Sequence, residues 1–195
     1  MGTEESFSAI VLAAGSGSRF GGAKLLADWH GAPLICGALA AARAAPVGQV
    51  VVVTGAEAAA VEAAARAFDP AVQVVHAARH AEGMAASLKA GIAAVAPEAA
   101  GAFVFLGDMP RVPHAVLGPL AAAVSAGAPA AAPVFKGVRG NPVVLSAALF
   151  PQVEALAGDV GARAILKGLG ERLALVEAPD DGVLFDVDLR SDLAG

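Results

Sequence analysis

The chain has 195 residues, of which 57% are hydrophobic and 16% charged, and it carries a formal net charge of -5. This length suffices for one domain with a sizeable core, and the absence of a basic run argues against nucleic acid as a partner. No apolar run reaches the roughly 18 residues typical of a membrane-spanning helix. The single cysteine, Cys36, excludes an intrachain disulfide, and the acidic start is unlike a secretory leader. We therefore expect one cytoplasmic domain over residues 1–195 that binds no membrane.

Strands and helices are predicted to alternate through the first two-thirds of the chain. Apolar and β-branched runs predict strands at residues 7–14, 50–53, 72–75, 103–106, 142–145 and 173–177. Helices are predicted at 34–44, 56–68, 84–95, 113–125, 147–157 and 162–169, with a connecting segment at 25–33 and an extended segment at 129–135. This alternation predicts an α/β fold with one doubly wound, mainly parallel sheet, whose ligands bind beyond the carboxyl ends of the strands.

A glycine-rich loop follows the first predicted strand and ends at Lys24. Its glycines, among them Gly15, Gly17 and Gly21, place no Cβ between the backbone and a ligand. Successive N–H groups on such a loop bind anions, and Arg19 and Lys24 add full positive charge. The loop therefore predicts a polyphosphate ligand, although an ordinary strand-to-helix turn with surface charges is the alternative.

Two other phosphate-binding loops do not fit this stretch. A P-loop requires Ser or Thr directly after its lysine, whereas Leu25 follows Lys24. A dinucleotide-binding fingerprint requires a third glycine where Phe20 stands, and an acid after the second strand, where residues 50–55 contain none.

Three aspartates are candidate metal ligands. Asp108 lies two residues beyond the predicted strand at 103–106, where its carboxylate suits Mg²⁺, although a simple turn residue is the alternative. Asp186 and Asp188 alternate, so they would share one face of an extended segment and could meet one cation. A solvated acidic tail is the alternative for that pair.

Three further segments are candidates for ligand contacts. Gly83 would let a loop close on a flat ring and Ser87 would offer it a hydroxyl, unless the segment is an ordinary helix start. Arg139 could hold a phosphate, with Asn141 two residues further on. In the stretch 158–163, the arginine and a helix N-terminus suit an anion, although Asp159 is alternatively a simple helix cap.

These motifs together resemble the MobA-like NTP transferase family, and within it the molybdenum cofactor cytidylyltransferases (MocA-like proteins). The resemblance rests on Leu-Ala-Ala-Gly with the glycine loop, Gly-Met-x-x-Ser-Leu, Gly-Asp-Met-Pro, Arg-Gly-Asn-Pro and Gly-Asp-Val-Gly-Ala-Arg, which occur in the family's order over nearly the whole chain. The ending Asp-Val-Asp-Leu-Arg departs from the family's Asp-Ile-Asp-Thr-Pro. The resemblance implies a Rossmann-like nucleotidyltransferase fold.

The resemblance also implies an activity and roles for individual residues. The expected reaction moves CMP from CTP to a phosphorylated acceptor, molybdopterin, and releases pyrophosphate; a molybdenum hydroxylase would receive the product. The implied catalytic residues are Lys24, Arg19 and Asp108, and the implied Mg²⁺ ligands are Asp108, Asp186 and Asp188. The implied substrate-binding residues are Leu12, Ala13, Ala14, Gly15, Gly17, Gly21, Gly83, Ser87, Arg139 and Asn141. GTP, another phosphorylated acceptor, or a non-catalytic accessory role are the alternatives.

Overall fold

The structure is a computed structural model, and it describes residues 6–194 as ten strands and six α-helices joined by short 3-10 segments. The strands are β1 (Phe7–Ala13), β2 (Asp28–Trp29), β3 (Ala32–Pro33), β4 (Val47–Thr54), β5 (Gln73–His76), β6 (Gly101–Leu106), β7 (Ala130–Phe135), β8 (Val138–Arg139), β9 (Val143–Ser146) and β10 (Leu173–Glu177). The helices are α1 (Ile35–Ala44), α2 (Ala58–Phe68), α3 (Met84–Ala93), α4 (Leu117–Ser125), α5 (Phe150–Glu154) and α6 (Arg163–Leu169).

One eight-stranded sheet forms the centre, in the order β10-β7-β9-β6-β1-β4-β5, with β8 paired to β7. Strands β1, β4, β5 and β6 run parallel to one another, whereas β9 is antiparallel to both β6 and β7. The prediction of a doubly wound, mainly parallel sheet is confirmed. The order reverses beside β1, because β4 and β5 lie on one side of it and β6 on the other; this is where α/β sheets bind ligands.

Helices cover both faces of the sheet, which explains the unbroken apolar runs in its central strands. In β4, Val52 belongs to the core shared with α1, α2 and α4, and Val51 belongs to the core shared with α3, α5 and α6. Both side chains are fully buried. Burial of one such valine contributes about 1.5–3 kcal/mol relative to leaving it exposed.

Several predicted elements differ from the observed ones. Residues 25–33, predicted as a plain connection, contain the hairpin of β2 and β3, whose turn residues His30 and Gly31 both have positive φ. The helix predicted at 113–125 begins as a 3-10 turn, His114–Val116, and the one predicted at 147–157 is a 3-10 turn followed by the short helix α5. The prediction missed the hairpin because its strands have only two residues each and show no usable periodicity.

Close backbone packing fixes the elements next to the ligand edge of the sheet. A Cβ on Gly37 of α1 would lie 2.6 Å from Cα of Pro110, so this helix supports the turn after β6 directly. A Cβ on Gly91 of α3 would lie 2.6 Å from Cγ2 of Ile10 in β1. Within residues 6–194, no helix has the length and apolar character needed to cross a bilayer.

Candidate active site

The glycine loop between β1 and Lys24 is folded around one carbonyl group. The Gly17 carbonyl oxygen accepts hydrogen bonds from the backbone N–H groups of Phe20, Gly21 and Gly22, at 3.0, 3.1 and 3.1 Å. Gly17 itself has a φ of +59°, and a Cβ there would lie 3.0 Å from Cβ of Lys24. Glycine is required here, because an L side chain would be strained at this φ and would crowd the lysine.

Lys24 brings its ammonium group to two carboxylates. Its Nζ lies 2.7 Å from Oδ2 of Asp108 and 3.5 Å from Oδ1 of Asp188. The Lys24 side chain is only 14% exposed, so water screens these contacts less than it would at the surface. Arg19 lies 3.2 Å from the other Asp188 oxygen, but the arginine side chain is 79% exposed and this ion pair adds little stability.

Three aspartates converge beside the lysine. One carboxylate oxygen from each of Asp108, Asp186 and Asp188 lies within 4.8 Å of the others. Between the last two, Val187 is fully buried, and its N–H donates to the Asp108 carbonyl oxygen at 3.0 Å. Because neighbouring side chains of a non-helical segment point to different sides, the burial of Val187 leaves the flanking carboxylates free to turn toward Asp108.

The crowding of these carboxylates is visible in the pKa of Asp186. Burial raises the pKa of its carboxyl group, and the charges of Asp108 and Asp188 raise it further. A bound cation would relieve the electrostatic repulsion between these carboxylates. Their oxygen atoms are ligands that suit Mg²⁺ or Mn²⁺. The three aspartates therefore fit a divalent cation, which they would hold together with ligand oxygens and water.

A cavity of about 710 Å³ opens beside this cluster, at the carboxyl edge of the sheet. Its volume falls within the range of small-molecule sites, roughly 300–1,000 Å³. The glycine loop forms one end, and the turn before α3 forms the other. The lining residues that the sequence had singled out are Leu12, Ala13, Ala14, Gly15, Gly17, Lys24, Gly83, Ser87, Asp108 and Asp159.

Main-chain contacts build the end of the cavity near α3. The Met84 N–H, at the start of α3, donates to Oδ1 of Asp159 at 3.2 Å, and the Ala85 N–H donates to the Gly158 carbonyl at 3.1 Å. Gly83 has a φ of +115°, and a Cβ there would lie 2.6 Å from the Gly158 carbonyl carbon. Asp159 is thus a helix cap, but it caps α3, which is distant in the chain, and not the helix that follows it.

The remaining predicted site residues occupy three places. A smaller hollow of about 220 Å³ next to the cavity includes Arg19 and Asp188 in its lining. Gly21 belongs to the glycine loop but to neither lining. Arg139 is exposed on β8, and the N–H of Asn141 donates to the Val183 carbonyl at 2.9 Å. Neither Arg139 nor Asn141 lines the cavity or the hollow.

The cavity also contains residues that the sequence did not single out. They are Ser16, Leu25, His80, Ala81, Glu82, Met84 and Leu106. His80 comes four residues after the end of β5, on the carboxyl edge of the sheet, so its place in the chain was a usable signal. Leu25 and Leu106 carry no such signal, because they are apolar residues indistinguishable from core.

Comparisons with solved structures show the same fold in several proteins. Rv0371c from Mycobacterium tuberculosis H37Rv is 29% identical with a TM-score of 0.85, over 98% of this chain and 97% of that one. A structure of Rv0371c in complex with manganese is matched at 26% identity and a TM-score of 0.75, over 90% and 89% of the two chains. A nucleotidyl transferase from Methanothermobacter thermautotroptrophicus is 26% identical with a TM-score of 0.81, over 97% and 94%.

A comparison with curated proteins finds no match. The match to a protein family is extensive, because it covers residues 9–175 and so includes the glycine loop, the turn at Asp108 and the cavity end at Gly83. The chain belongs to the family described as the MobA-like NTP transferase domain.

Proposed function

We propose that this protein transfers CMP from CTP to a phosphorylated acceptor, molybdopterin, and releases pyrophosphate. The observation that carries the proposal is the position of the Lys24 ammonium group, 2.7 Å from Asp108, where the glycine loop borders the cavity. Family membership supports nucleotidyl transfer. The choice of CTP and of molybdopterin rests on the likeness of the motifs to cytidylyltransferases.

The glycine loop and its two cations would bind the triphosphate. Backbone N–H groups of residues 15–19 would donate to the β- and γ-phosphates, since those of Phe20, Gly21 and Gly22 are bonded to the Gly17 carbonyl. Arg19 and Lys24 would neutralise the phosphate charge. An oxygen of the acceptor phosphate would attack the α-phosphorus in line, forming a new P–O bond. The bond from the α-phosphorus to the bridging oxygen would break, and pyrophosphate would leave with that electron pair. The acceptor phosphate is already anionic, so no strong general base is needed.

The aspartate cluster would hold the divalent cation, for which we propose Mg²⁺. When bound, the cation supplies positive charge that the phosphates share. Asp108 is held on the turn that α1 supports, and the backbone contact between Val187 and Asp108 ties the second segment of the cluster to it. These contacts fix the ligands before a substrate arrives, which is the requirement for electrostatic stabilisation at low reorganisation cost.

The opposite end of the cavity would receive the cytosine base. Ser87 lines this end and is buried, with 5% of its surface exposed, so its hydroxyl is a polar group that the base could contact. Gly83, which has no side chain, would leave room for a flat ring there, and Leu12 at the end of β1 also lines the cavity. GTP is the alternative substrate, since base recognition by backbone groups leaves little trace in a sequence.

The assignment of residues that contact the acceptor rests on the resemblance alone. We propose that Arg139, with Asn141, contacts the acceptor phosphate from outside the nucleotide cavity. An Arg139→Ala variant should then raise the KM for the acceptor and leave the Kd for the triphosphate unchanged, as measured by titration calorimetry without acceptor.

Thermal unfolding with each of the four nucleoside triphosphates, with and without Mg²⁺, tests the nucleotide assignment. A ligand at about 100 times its Kd stabilises the folded protein by roughly 2.7 kcal/mol, which a melting experiment resolves. We expect CTP to raise the Tm only with Mg²⁺, and Asp108→Asn to abolish that rise. Asp181→Asn is the matched control, because this exposed aspartate pairs with Arg111 outside the cavity.

Two other outcomes would change the assignment. A preference for GTP would leave the proposed mechanism unchanged but would make guanine, and not cytosine, the base that the cavity binds. No response to any triphosphate would contradict the proposed enzyme and favour an accessory protein that binds the cofactor. Pyrophosphate release with CTP, Mg²⁺ and molybdopterin then separates transfer from binding alone.

A further inference from the structure

A second acid touches the glycine loop, on the side opposite Asp108. Oδ2 of Asp108, after β6, contacts the Lys24 ammonium group, whereas Oε1 of Glu57, after β4, accepts the Ala23 N–H at 2.7 Å. Because β1 lies between β6 and β4, the loop is held from both neighbouring strands. Nothing in the reaction described above uses Glu57.

The Glu57 side chain turns away from its own helix. Glu57 stands directly before α2, and its side chain accepts no N–H of that helix. Its carboxylate instead accepts the backbone N–H of a residue 34 positions earlier. A carboxylate acceptor makes this a charge-assisted hydrogen bond, which is shorter and stronger than a neutral one.

The residue that it contacts has a disfavoured backbone conformation. Ala23 has a φ of 51° and a ψ of 27°, in the left-handed region that alanine rarely adopts. The other described non-glycine residues with positive φ, His30 and Lys136, each precede a glycine in a tight turn. Ala23 instead leads into the 3-10 turn Lys24–Leu26. Its carbonyl accepts the Leu26 N–H at 3.0 Å within that turn, and on the other side its own N–H is held only by Glu57 among the described contacts.

The backbone conformation of Ala23 sets the direction in which the Lys24 side chain leaves the backbone. Ala23 precedes Lys24 directly, and Leu25 on the other side is buried in the core. With Leu25 fixed, rotation of Ala23 into an ordinary conformation would redirect the peptide that carries Lys24. The ammonium group would then lose its 2.7 Å contact with Asp108.

We infer that Glu57 is a positioning residue for Lys24, acting through the hydrogen bond that holds Ala23 in the left-handed conformation. The inference deepens the proposed function and rests on it for its effect on turnover. Its structural part, the dependence of Ala23 and Lys24 on Glu57, stands independently of which nucleotide is bound.

Three substitutions separate this role from general stability. Glu57→Ala removes the acceptor, Glu57→Gln keeps a carbonyl oxygen in reach of the N–H, and Ala23→Gly removes the conformational penalty, since glycine adopts positive φ readily. Glu62→Ala is the matched control, because this glutamate lies in the same helix and pairs only with Arg66 at the surface.

We expect Glu57→Ala to lower kcat/KM for pyrophosphate release by up to about 10²-fold, mainly through kcat, because a misplaced catalytic group costs that much. Glu57→Gln should stay near wild type, and Ala23→Gly should restore part of the activity in the Glu57→Ala background. The Tm of Glu57→Ala should fall by only about 2–4 °C, as for the loss of roughly 1 kcal/mol, so that the variant stays folded in the assay. Equal kcat/KM in Glu57→Ala and Glu62→Ala, or equal losses in Glu57→Ala and Glu57→Gln, would overturn the inference.

Hydrogen exchange at the Ala23 amide, followed by NMR without nucleotide, keeps the two proposals apart. The amide should be protected in the wild-type protein and in Glu57→Gln, and it should exchange fast in Glu57→Ala. This result would support the positioning role even if the wild-type protein turned over no triphosphate, an outcome that would contradict only the proposed function. Equal exchange in all three proteins would overturn the positioning role.

Discussion

The two ends of the cavity are built from different parts of the chain. The end at the glycine loop is organised by charged side chains, since Lys24 contacts Asp108 and Asp188 directly. The end at α3, here called the backbone end, is organised by close backbone packing of Gly83 against the Gly158 carbonyl, and the Asp159 carboxylate caps the adjoining Met84 N–H. Paired cations and a carboxylate cluster suit phosphates and a metal ion, whereas a closely packed end with the Ser87 hydroxyl in its lining suits a flat base.

This difference predicts two kinds of mutational effect. Substitutions at the charged end remove groups that act on the reacting phosphates, so we expect them to lower kcat. Substitutions at the backbone end alter the shape of the cavity and the start of α3, so we expect changes in stability and in KM. A variant at the charged end that changed only stability and KM, or one at the backbone end that lowered only kcat, would contradict this distinction.

Lys24→Ala should have the largest effect. Loss of the ammonium group should lower kcat by on the order of 10²–10³, as for other preorganised groups that stabilise a charged transition state. Steady-state pyrophosphate release measures this, with Lys167→Ala, on the exposed side of α6, as the control. Full turnover by a folded Lys24→Ala protein would contradict the role assigned to the lysine.

Gly83→Ala should destabilise the fold more than any other change at the backbone end. The new Cβ would meet the Gly158 carbonyl carbon at 2.6 Å, and the φ of +115° strains any L side chain. We expect a loss of about 1–3 kcal/mol in the free energy of unfolding, measured in urea. Gly168→Ala is the control, because it adds a Cβ inside α6 with no atom within 4 Å and should not destabilise. Equal stability of the two variants would refute the close contact.

Asp159→Ala should have a smaller effect, because it removes one helix cap. We expect a loss of about 0.5–2 kcal/mol in the free energy of unfolding and a higher KM for the triphosphate. Asp159→Asn keeps an acceptor for the Met84 N–H and should lie closer to wild type. A fall in kcat without a change in KM would place Asp159 with the charged end instead.

Asp186→Asn should raise the stability of the metal-free protein slightly. The pKa of the Asp186 carboxyl group is raised in the folded state from its ordinary 3.8, so the protonated form favours folding. That contribution is present below pH 3.8 and is lost as the pH rises through the raised pKa. The Tm difference in EDTA should therefore be largest at neutral pH and vanish in acid. A Tm below wild type at neutral pH would show that the aspartates do not repel one another.

A titration with Mg²⁺ in the same samples provides the second half of that test. The Tm increase produced by the cation should be smaller in Asp186→Asn than in the wild-type protein, because one charged ligand is lost. A larger increase in the variant would exclude Asp186 from the metal site.

The sequence predicted the central sheet well, because each buried strand is an apolar run bounded by glycine or polar residues. It also placed the glycine loop and Asp108 at one edge, since carboxyl ends of parallel strands coincide. It could not predict the β2–β3 hairpin, which has no periodicity. Nor could it pair Glu57 with Ala23 or Asp159 with Met84, because contacts over 34 and 75 positions depend on how the elements pack.

The ion pair between Lys24 and Asp108 makes the lysine an internal counter-ion that has to change partners. In the resting protein Asp108 already holds the ammonium group, so a triphosphate arriving alone competes with the aspartate for it. When a divalent cation accompanies the triphosphate, the cation supplies Asp108 with positive charge in place of the ammonium group that it loses. Thermodynamic reciprocity then requires that nucleotide and cation strengthen each other's binding by the same factor. Discrimination against metal-free nucleotide would thus be a property of the resting state itself.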